Sequence, residues 1–211
     1  MPDLEQLKQA LIEGNWKIAA AATQAALAEG VAPLTIVTKH LVPAMDEVGR
    51  LFECEEYFVP EMLLSARAMK ASMEIVRPLL AASGAEPVGR VVIGTVKGDL
   101  HDIGKNLVAA MLEGGGFEVI DLGADVAPEL FTQAAATRNA NLVALSALLT
   151  VTMPSMKTTI DAFRAAGLRE KVKIMVGGAP VTQQYADAIG ADGYSDSAGS
   201  AVALARKLVA A

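Results

Sequence analysis

RVVIGTVKGDLHDIGKNLVAAMLEGGGFEVIDL, residues 90–122, is the stretch whose reading decides the fold. It passes from a short β-branched run (90–96), through a segment of helical character (104–115), to a second β run (117–122). Two parallel strands need a long crossover between them, and a helix supplies it. Towards the C-terminus the pattern repeats. Strand candidates at 141–146, 172–176 and 191–195 alternate with helical segments at 127–139, 153–167, 181–190 and 197–210. Five strand–helix alternations predict a doubly wound, five-stranded parallel sheet covered on both faces. In such sheets ligands sit beyond the carboxyl ends of the strands, so the residues after each strand are the ones to examine.

Towards the N-terminus the period changes. Leu4, Leu7 and Leu11 recur at helical spacing, and Gly14-Asn15 interrupts them. An alanine-rich helix follows and ends at Gly30. Pro33, Pro43 and Pro60 each fit the first turn of a further helix, the last running to about Ala82. Five short helices predict a bundle. The domain reading is a helical cap over 1–83, a linker over 84–89 and a sheet domain over 90–211.

Composition narrows the function. The chain has 211 residues, 53% of them apolar, so it can build a core. Its net charge is −6 and only 4% of residues are aromatic, which argues against phosphate binding and base stacking, hence against a nucleic-acid partner. One cysteine, Cys54, makes no internal disulfide and points to a reducing cytoplasm. The acidic, amphipathic start does not read as a signal peptide, and no apolar run has the length of a membrane span, so no membrane is expected.

Three post-strand loops are unusual. In Gly98-Asp99-Leu100-His101-Asp102-Ile103-Gly104, an Asp and a His two apart place a carboxylate on one imidazole nitrogen and leave the other free for a metal. The alternative is a solvated loop with a helix-capping Asp. In the second loop, residues 146–152, Ser146, Thr150 and Thr152 offer hydroxyls to a polar ligand; the alternative is capping of the next helix. Gly177-Gly178, after the fourth strand, admits a ligand against bare backbone; the alternative is a glycine turn. All three fall at the same edge of the predicted sheet.

Their order and spacing resemble the cobalamin-binding domain of methionine synthase and of the corrinoid proteins of methyltransferase systems. Asp99-x-His101-x-x-Gly104 is followed by 105–145, then Ser146-x-Leu148, then 149–176, then Gly177-Gly178. GTVKGDLHDIGKNLV and GFEVIDLGADV are similar to the corrinoid proteins that serve methanol, methylamine or methoxyaromatic substrates, and MDEVGRLFECEEYFVPEMLLSARAMK resembles their helical domain. The resemblance implies a Rossmann-like, flavodoxin-like sheet domain behind the helical cap. It implies a cobalamin or related corrinoid bound base-off, with His101 as the lower cobalt ligand and Asp99 accepting its second proton. Gly98, Leu100, Asp102, Ile103 and Gly104 complete that loop. Ser146, Leu148 and Thr150 line one side of the detached nucleotide tail, Gly177 and Gly178 the other, and Ala198 lies near the base. A serine extends the proton relay in methionine synthase, and Thr152 stands at that position. Phe52 and Val59 match positions above the methyl group, the 84–89 linker would then be a hinge, and the alternative for both residues is ordinary bundle packing. Cys54, Met62 and His40 are read as structural.

The resemblance further implies a methyl carrier cycling between methylcob(III)alamin and cob(I)alamin, not catalytic alone. Its expected partners are a substrate-specific methyltransferase, an acceptor methyltransferase using tetrahydrofolate or a thiol, and a reductive activator of the corrinoid. Two rivals share the D-x-H-x-x-G loop: a subunit of an adenosylcobalamin-dependent mutase, and a cobalamin-sensing regulator. The helical segment argues against the first, and the lack of a basic or helix-turn-helix segment before residue 40 argues against the second.

Overall fold

The computed structural model describes residues 4–84 and 86–210. Residues 1–3 and 211 of the expected domains, and residue 85 of the expected linker, lie outside the described residues. The chain divides into two compact units, residues 1–87 with 113–116, and residues 88–112 with 117–211.

The first unit is helical: α1 (Leu4–Ile12), α2 (Trp16–Ala28), α3 (Pro33–Ile36), α4 (Val42–Glu53) and α5 (Val59–Ala82). Leu7, Leu11, Ala19, Ala26, Ile36, Leu41, Met45, Val48, Met62, Met69 and Val76 are buried at its centre, the apolar faces at helical spacing. The end of α1 is tied down by two distant hydroxyls. Tyr57 and Ser65 donate to the Ile12 carbonyl at 3.1 and 2.9 Å, serving an acceptor the helix leaves open. The expected five separate short helices need correction. α3 runs into α4 through a π-helical turn, Val37–Leu41, with helical backbone throughout. Pro43 lacks an N–H and its ring crowds the preceding turn, and the wider π turn just before it keeps the helix continuous. α5 is also long, at 24 residues, and contains Pro78.

The second unit holds five parallel strands: β1 (Arg90–Thr95), β2 (Glu118–Asp121), β3 (Leu142–Ser146), β4 (Lys173–Gly177) and β5 (Gly193–Ser195). Their order is β2-β1-β3-β4-β5, the doubly wound arrangement whose ligand crevice opens between the first and third strands. α6 (Ile103–Gly114), α7 (Pro128–Thr137), α8 (Pro154–Ala165), α9 (Gln183–Ile189) and α10 (Ala198–Ala210) alternate with them. The chain steps one way through α6 and the other way through α7, α8 and α9. The right-handed crossover rule therefore places α6 on one face and those three on the other. Phe131, Ala135, Met156, Ile160, Phe163, Ala186 and Ile189 form one core with Val92, Val143, Leu145, Ile174 and Val176 of the strands.

Register fixes where the loops emerge. Thr95 pairs with Ser146, Ser146 with Gly177, and Gly177 with Ser195, one row across the carboxyl edge of four strands. The loops carrying His101, Leu148 and Gly178 all leave from that row.

Candidate functional site

Asp99 anchors the site. It is fully buried, yet its carboxylate is surrounded by donors. Oδ1 accepts from the His101 backbone N–H at 3.0 Å and faces His101 Nδ1 at 2.7 Å. Oδ2 accepts from the Leu148 N–H at 2.8 Å, the Leu149 N–H at 3.3 Å and the Thr152 hydroxyl at 2.6 Å. Burial alone pushes a carboxyl upwards. Here the Thr152 hydroxyl, the His101 and Leu148 N–H groups and the imidazole overcome that push and hold Asp99 well below the usual carboxylate range. Asp99 is therefore an anion and only accepts. The proton in its bond to His101 must reside on Nδ1, which leaves a bare lone pair on Nε2 in the neutral form of the ring. The ring is half exposed.

The His101 loop is also held through its backbone. Thr95, fully buried at the end of β1, donates its hydroxyl to the His101 carbonyl at 2.9 Å. The Thr152 hydroxyl also lies 2.8 Å from the Leu149 carbonyl. It has one proton, and the anionic acceptor takes it because charge-assisted bonds are the stronger. Asp99, His101 and Thr152 thus form one chain of contacts from the buried carboxylate to the exposed imidazole.

Around the imidazole the two loops expose large apolar side chains that nothing in their own unit covers. Leu100 is 76% exposed, Ile103 74% and Val151 80%, and Leu148 and Leu149 are exposed as well. A cluster of this kind marks a surface that a ligand or partner covers. Asp102 and Gly104 are exposed, and nothing lies within 4 Å of a Cβ placed on Gly104. Ser146 is half-buried in the edge row and Thr150 is exposed. Ala198 is buried in the first turn of α10.

Two sequence readings change. The loop after β3 does not cap α8 through a hydroxyl: Met153 is the N-cap and makes no side-chain cap bond. The glycine pair has a packing cause. Gly178 sits at φ +129°, and a Cβ there would lie 1.9 Å from the Ala147 carbonyl oxygen, while one on Gly177 would lie 3.0 Å from that of Ser195. The pair lets neighbouring edge loops close on each other. Within the helical unit, Phe52 near the end of α4 and Val59 at the start of α5 are both half-buried, with exposed Phe58 between them. Their role as a cap rests on the resemblance alone.

Sequence reasoning missed Thr95, Lys105, Asp121 and Asp125. Lys105 is buried in the first turn of α6, paired with Asp121 at the end of β2, and its ammonium also donates to Asn106 Oδ1. This pair pins the helix that follows the His101 loop to the neighbouring strand. Asp121 and Asp125 stand in GFEVIDLGADV, but a partner 16 to 28 residues away leaves no local signal. Among the described residues no group of three or more His, Cys, Asp or Glu is arranged to hold a metal ion.

A doubly wound sheet with a carboxylate-oriented imidazole at its crevice, joined to a helical unit, defines a cofactor-binding protein. Two family profiles, each described as a B12 binding domain, match residues 3–77 and 89–203. The chain is 43% identical over 208 residues to dimethylamine corrinoid protein 1 of Methanosarcina acetivorans, covering 98% of this chain and 97% of that one. It is also 43% identical over 202 residues to trimethylamine corrinoid protein 2 of Methanosarcina mazei, covering 95% and 93%. Among solved structures it is similar to a cobalamin-binding protein of Desulfitobacterium hafniense (TM-score 0.80, 32% identity, 99% of both chains). It also resembles a chain of the methanol:cobalamin methyltransferase complex MtaBC of Methanosarcina barkeri (TM-score 0.85, 31% identity, 98% of this chain and 79% of that one). The chain belongs to the family of B12-binding corrinoid proteins.

Proposed function

We propose that this protein is a methyl carrier: it holds a corrinoid base-off with His101 Nε2 as the lower ligand, and serves two methyltransferases in turn, one loading and one unloading. The observation that carries the reading is the half-exposed imidazole whose Nδ1 is fixed 2.7 Å from a buried carboxylate, ringed by exposed apolar side chains. These residues suit the group. A flat, largely apolar ring has Leu100, Ile103, Leu148 and Val151 to lie against, and a metal has one oriented nitrogen donor.

The bound corrinoid supplies a cobalt that takes up and releases a methyl group. The chain supplies control of the axial nitrogen. Asp99 keeps His101 in the tautomer whose Nε2 lone pair is available, and it favours the partial positive charge that a ligating imidazole gains. Were the ring released from cobalt, its freed Nε2 would be able to take a proton beside the buried Asp99 anion that Thr152 also holds, so that ligation and proton binding would be linked through one carboxylate. Ser146, Thr150, Gly177, Gly178 and Ala198, on the three neighbouring strand ends, are assigned to the nucleotide tail. The expected partners are a donor-specific methyltransferase, an acceptor methyltransferase and a reductive activator. The relatives named for dimethylamine and trimethylamine make a methylated amine the first donor to test. Among the described residues no helix is long and apolar enough to cross a membrane.

The test is the visible spectrum of the chain reconstituted with aquacobalamin and reduced one electron. A base-off, histidine-ligated form is expected for the wild type, and His101→Ala loses the nitrogen ligand. An unchanged spectrum in that variant removes His101 from its role.

A further inference from the structure

Asp125 has unusual geometry and no part in the function proposed above. It lies beyond β2, where Val126 bridges to Val96. Its φ is +55°, in the left-handed region that residues other than glycine seldom occupy. Such a conformation persists where the surroundings over-determine it, and here they do. The Asp125 N–H donates to the Asp99 carbonyl at 2.9 Å. Its Oδ1 accepts from the Gly98 N–H at 2.8 Å. Lys97 Nζ approaches both carboxylate oxygens at 3.0 Å. One residue thus holds Lys97, Gly98 and Asp99, the three that lead into His101 through Leu100.

The turn is otherwise closed by the Asp99 N–H, which donates to the Val96 carbonyl at 3.1 Å, and beyond it the Thr95 hydroxyl holds the His101 carbonyl. Gly98 sits at φ +89°, so the turn contains the residue type with the widest backbone freedom. A Cβ on Gly98 would have only the Thr152 methyl nearby, at 3.7 Å, so side-chain packing does not define its path. The Asp99 carboxylate orients the His101 ring, and Asp125 holds the backbone from which that carboxylate springs.

We propose that Asp125 is a positioning residue for the cobalt ligand: by holding the Gly98 N–H and the Asp99 carbonyl, it sets the angle at which His101 is presented. The proposal rests on the reading of His101 as that ligand, and it makes Asp125 a determinant of how firmly the corrinoid is held from below.

The experiment uses the full chain with aquacobalamin, reading the dissociation constant by titration and the axial nitrogen by the electron paramagnetic resonance of the one-electron-reduced protein. Asp125→Gly removes the carboxylate, tolerates the positive φ and keeps the N–H. Asp125→Asn keeps an acceptor for Gly98, and Lys97→Met removes only the cation. Asp125→Gly is expected to bind about 10-fold more weakly and to show a mixture of nitrogen-ligated and unligated signals. Asp125→Asn and Lys97→Met are expected to keep the wild-type signal. Wild-type affinity and signal in Asp125→Gly overturn the proposal, whatever its melting temperature. So does a loss in Asp125→Asn as complete as in Asp125→Gly. If Asp125→Gly does not fold, Asp125→Ala, which also removes the acceptor, is read by the same criteria. A wild-type protein without a nitrogen signal refutes the function above, whereas a normal wild type with an unaffected Asp125→Gly refutes this inference alone.

Discussion

Replacing Asp99 by Asn exchanges one carboxylate oxygen for an NH2 group in a fully buried position. The consequences can be worked from the five donors that now converge there. If the amide oxygen faces Leu148 and Thr152, the NH2 confronts the His101 N–H, 3.0 Å from the present oxygen, and Nδ1 at 2.7 Å. Two donors then meet, and the ring answers by turning a bare nitrogen inwards. Its proton moves to Nε2, the atom that must be bare to ligate. If the amide is flipped, the NH2 confronts the Leu148 and Leu149 N–H groups, and only Thr152 is able to rotate and accept. Either way at least one buried N–H loses its acceptor, at about 1–3 kcal/mol. Charge-assisted bonds worth about 1.5–3 kcal/mol also become neutral ones worth about 0.5–1.5 kcal/mol. The sum predicts an apo protein destabilised by about 2–4 kcal/mol and corrinoid affinity lower by about 10–100-fold. Thermal unfolding of the apo protein and titration with aquacobalamin measure the two effects. Asp99→Asn with wild-type melting temperature and wild-type spectrum refutes the reasoning, because it shows that the buried charge orients nothing.

Three further outcomes follow from the same geometry. The folded-state pKa of Asp99 is depressed, so its contribution to stability is complete above the unfolded carboxylate value of about 3.9 and is lost only as pH falls towards the folded value. Stability against urea should therefore lose the Asp99 contribution only below about pH 4, and Asp99→Asn should remove that part of the acid limb. Thr152→Val keeps the shape and deletes the hydroxyl that donates to Asp99 at 2.6 Å, and should lower stability by about 1–2 kcal/mol. Thr152→Ser should restore both stability and nitrogen ligation, and equal spectra for Val and Ser would detach Thr152 from the relay. Gly178→Ala forces a Cβ to 1.9 Å from the Ala147 carbonyl oxygen at a φ of +129°; it should cost about 3 kcal/mol or more, read as a lower melting temperature, and a neutral result would contradict the close approach of these loops.

Much of the sheet unit was legible in the sequence, because buried parallel strands are β-branched runs with helices between them. RVVIGTV, NLVALS and VKIMV stand apart from their surroundings, and the three loops that depart from the edge row follow directly. The Asp99–His101 contact was legible too, since two residues on one loop reach each other without help from the rest of the fold. The bonds across the sheet were not. Thr152 lies 53 residues from Asp99, and Asp125 lies 27 from Gly98. A carboxylate in a sequence looks the same whether it caps a helix, faces water or clasps a distant turn. The helical unit was harder still. Pro43 reads as the first turn of a new helix, and only the backbone reveals that a π turn carries the helix past it. The glycine pair was read for the space it leaves, whereas its packing cause is the carbonyl of the next loop.

The central claim is that a protein imidazole, that of His101, binds cobalt. The chain has two histidines, His101 and His40. The most direct measurement is the electron paramagnetic resonance of the cob(II) protein prepared with 15N-labelled histidine and unlabelled corrinoid. The account predicts that the nitrogen superhyperfine triplets seen with natural histidine become doublets, and that they vanish in His101→Ala while persisting in His40→Ala. Triplets that survive labelling would mean that the corrinoid's own base, or a non-histidine nitrogen, occupies the position, and would contradict the account.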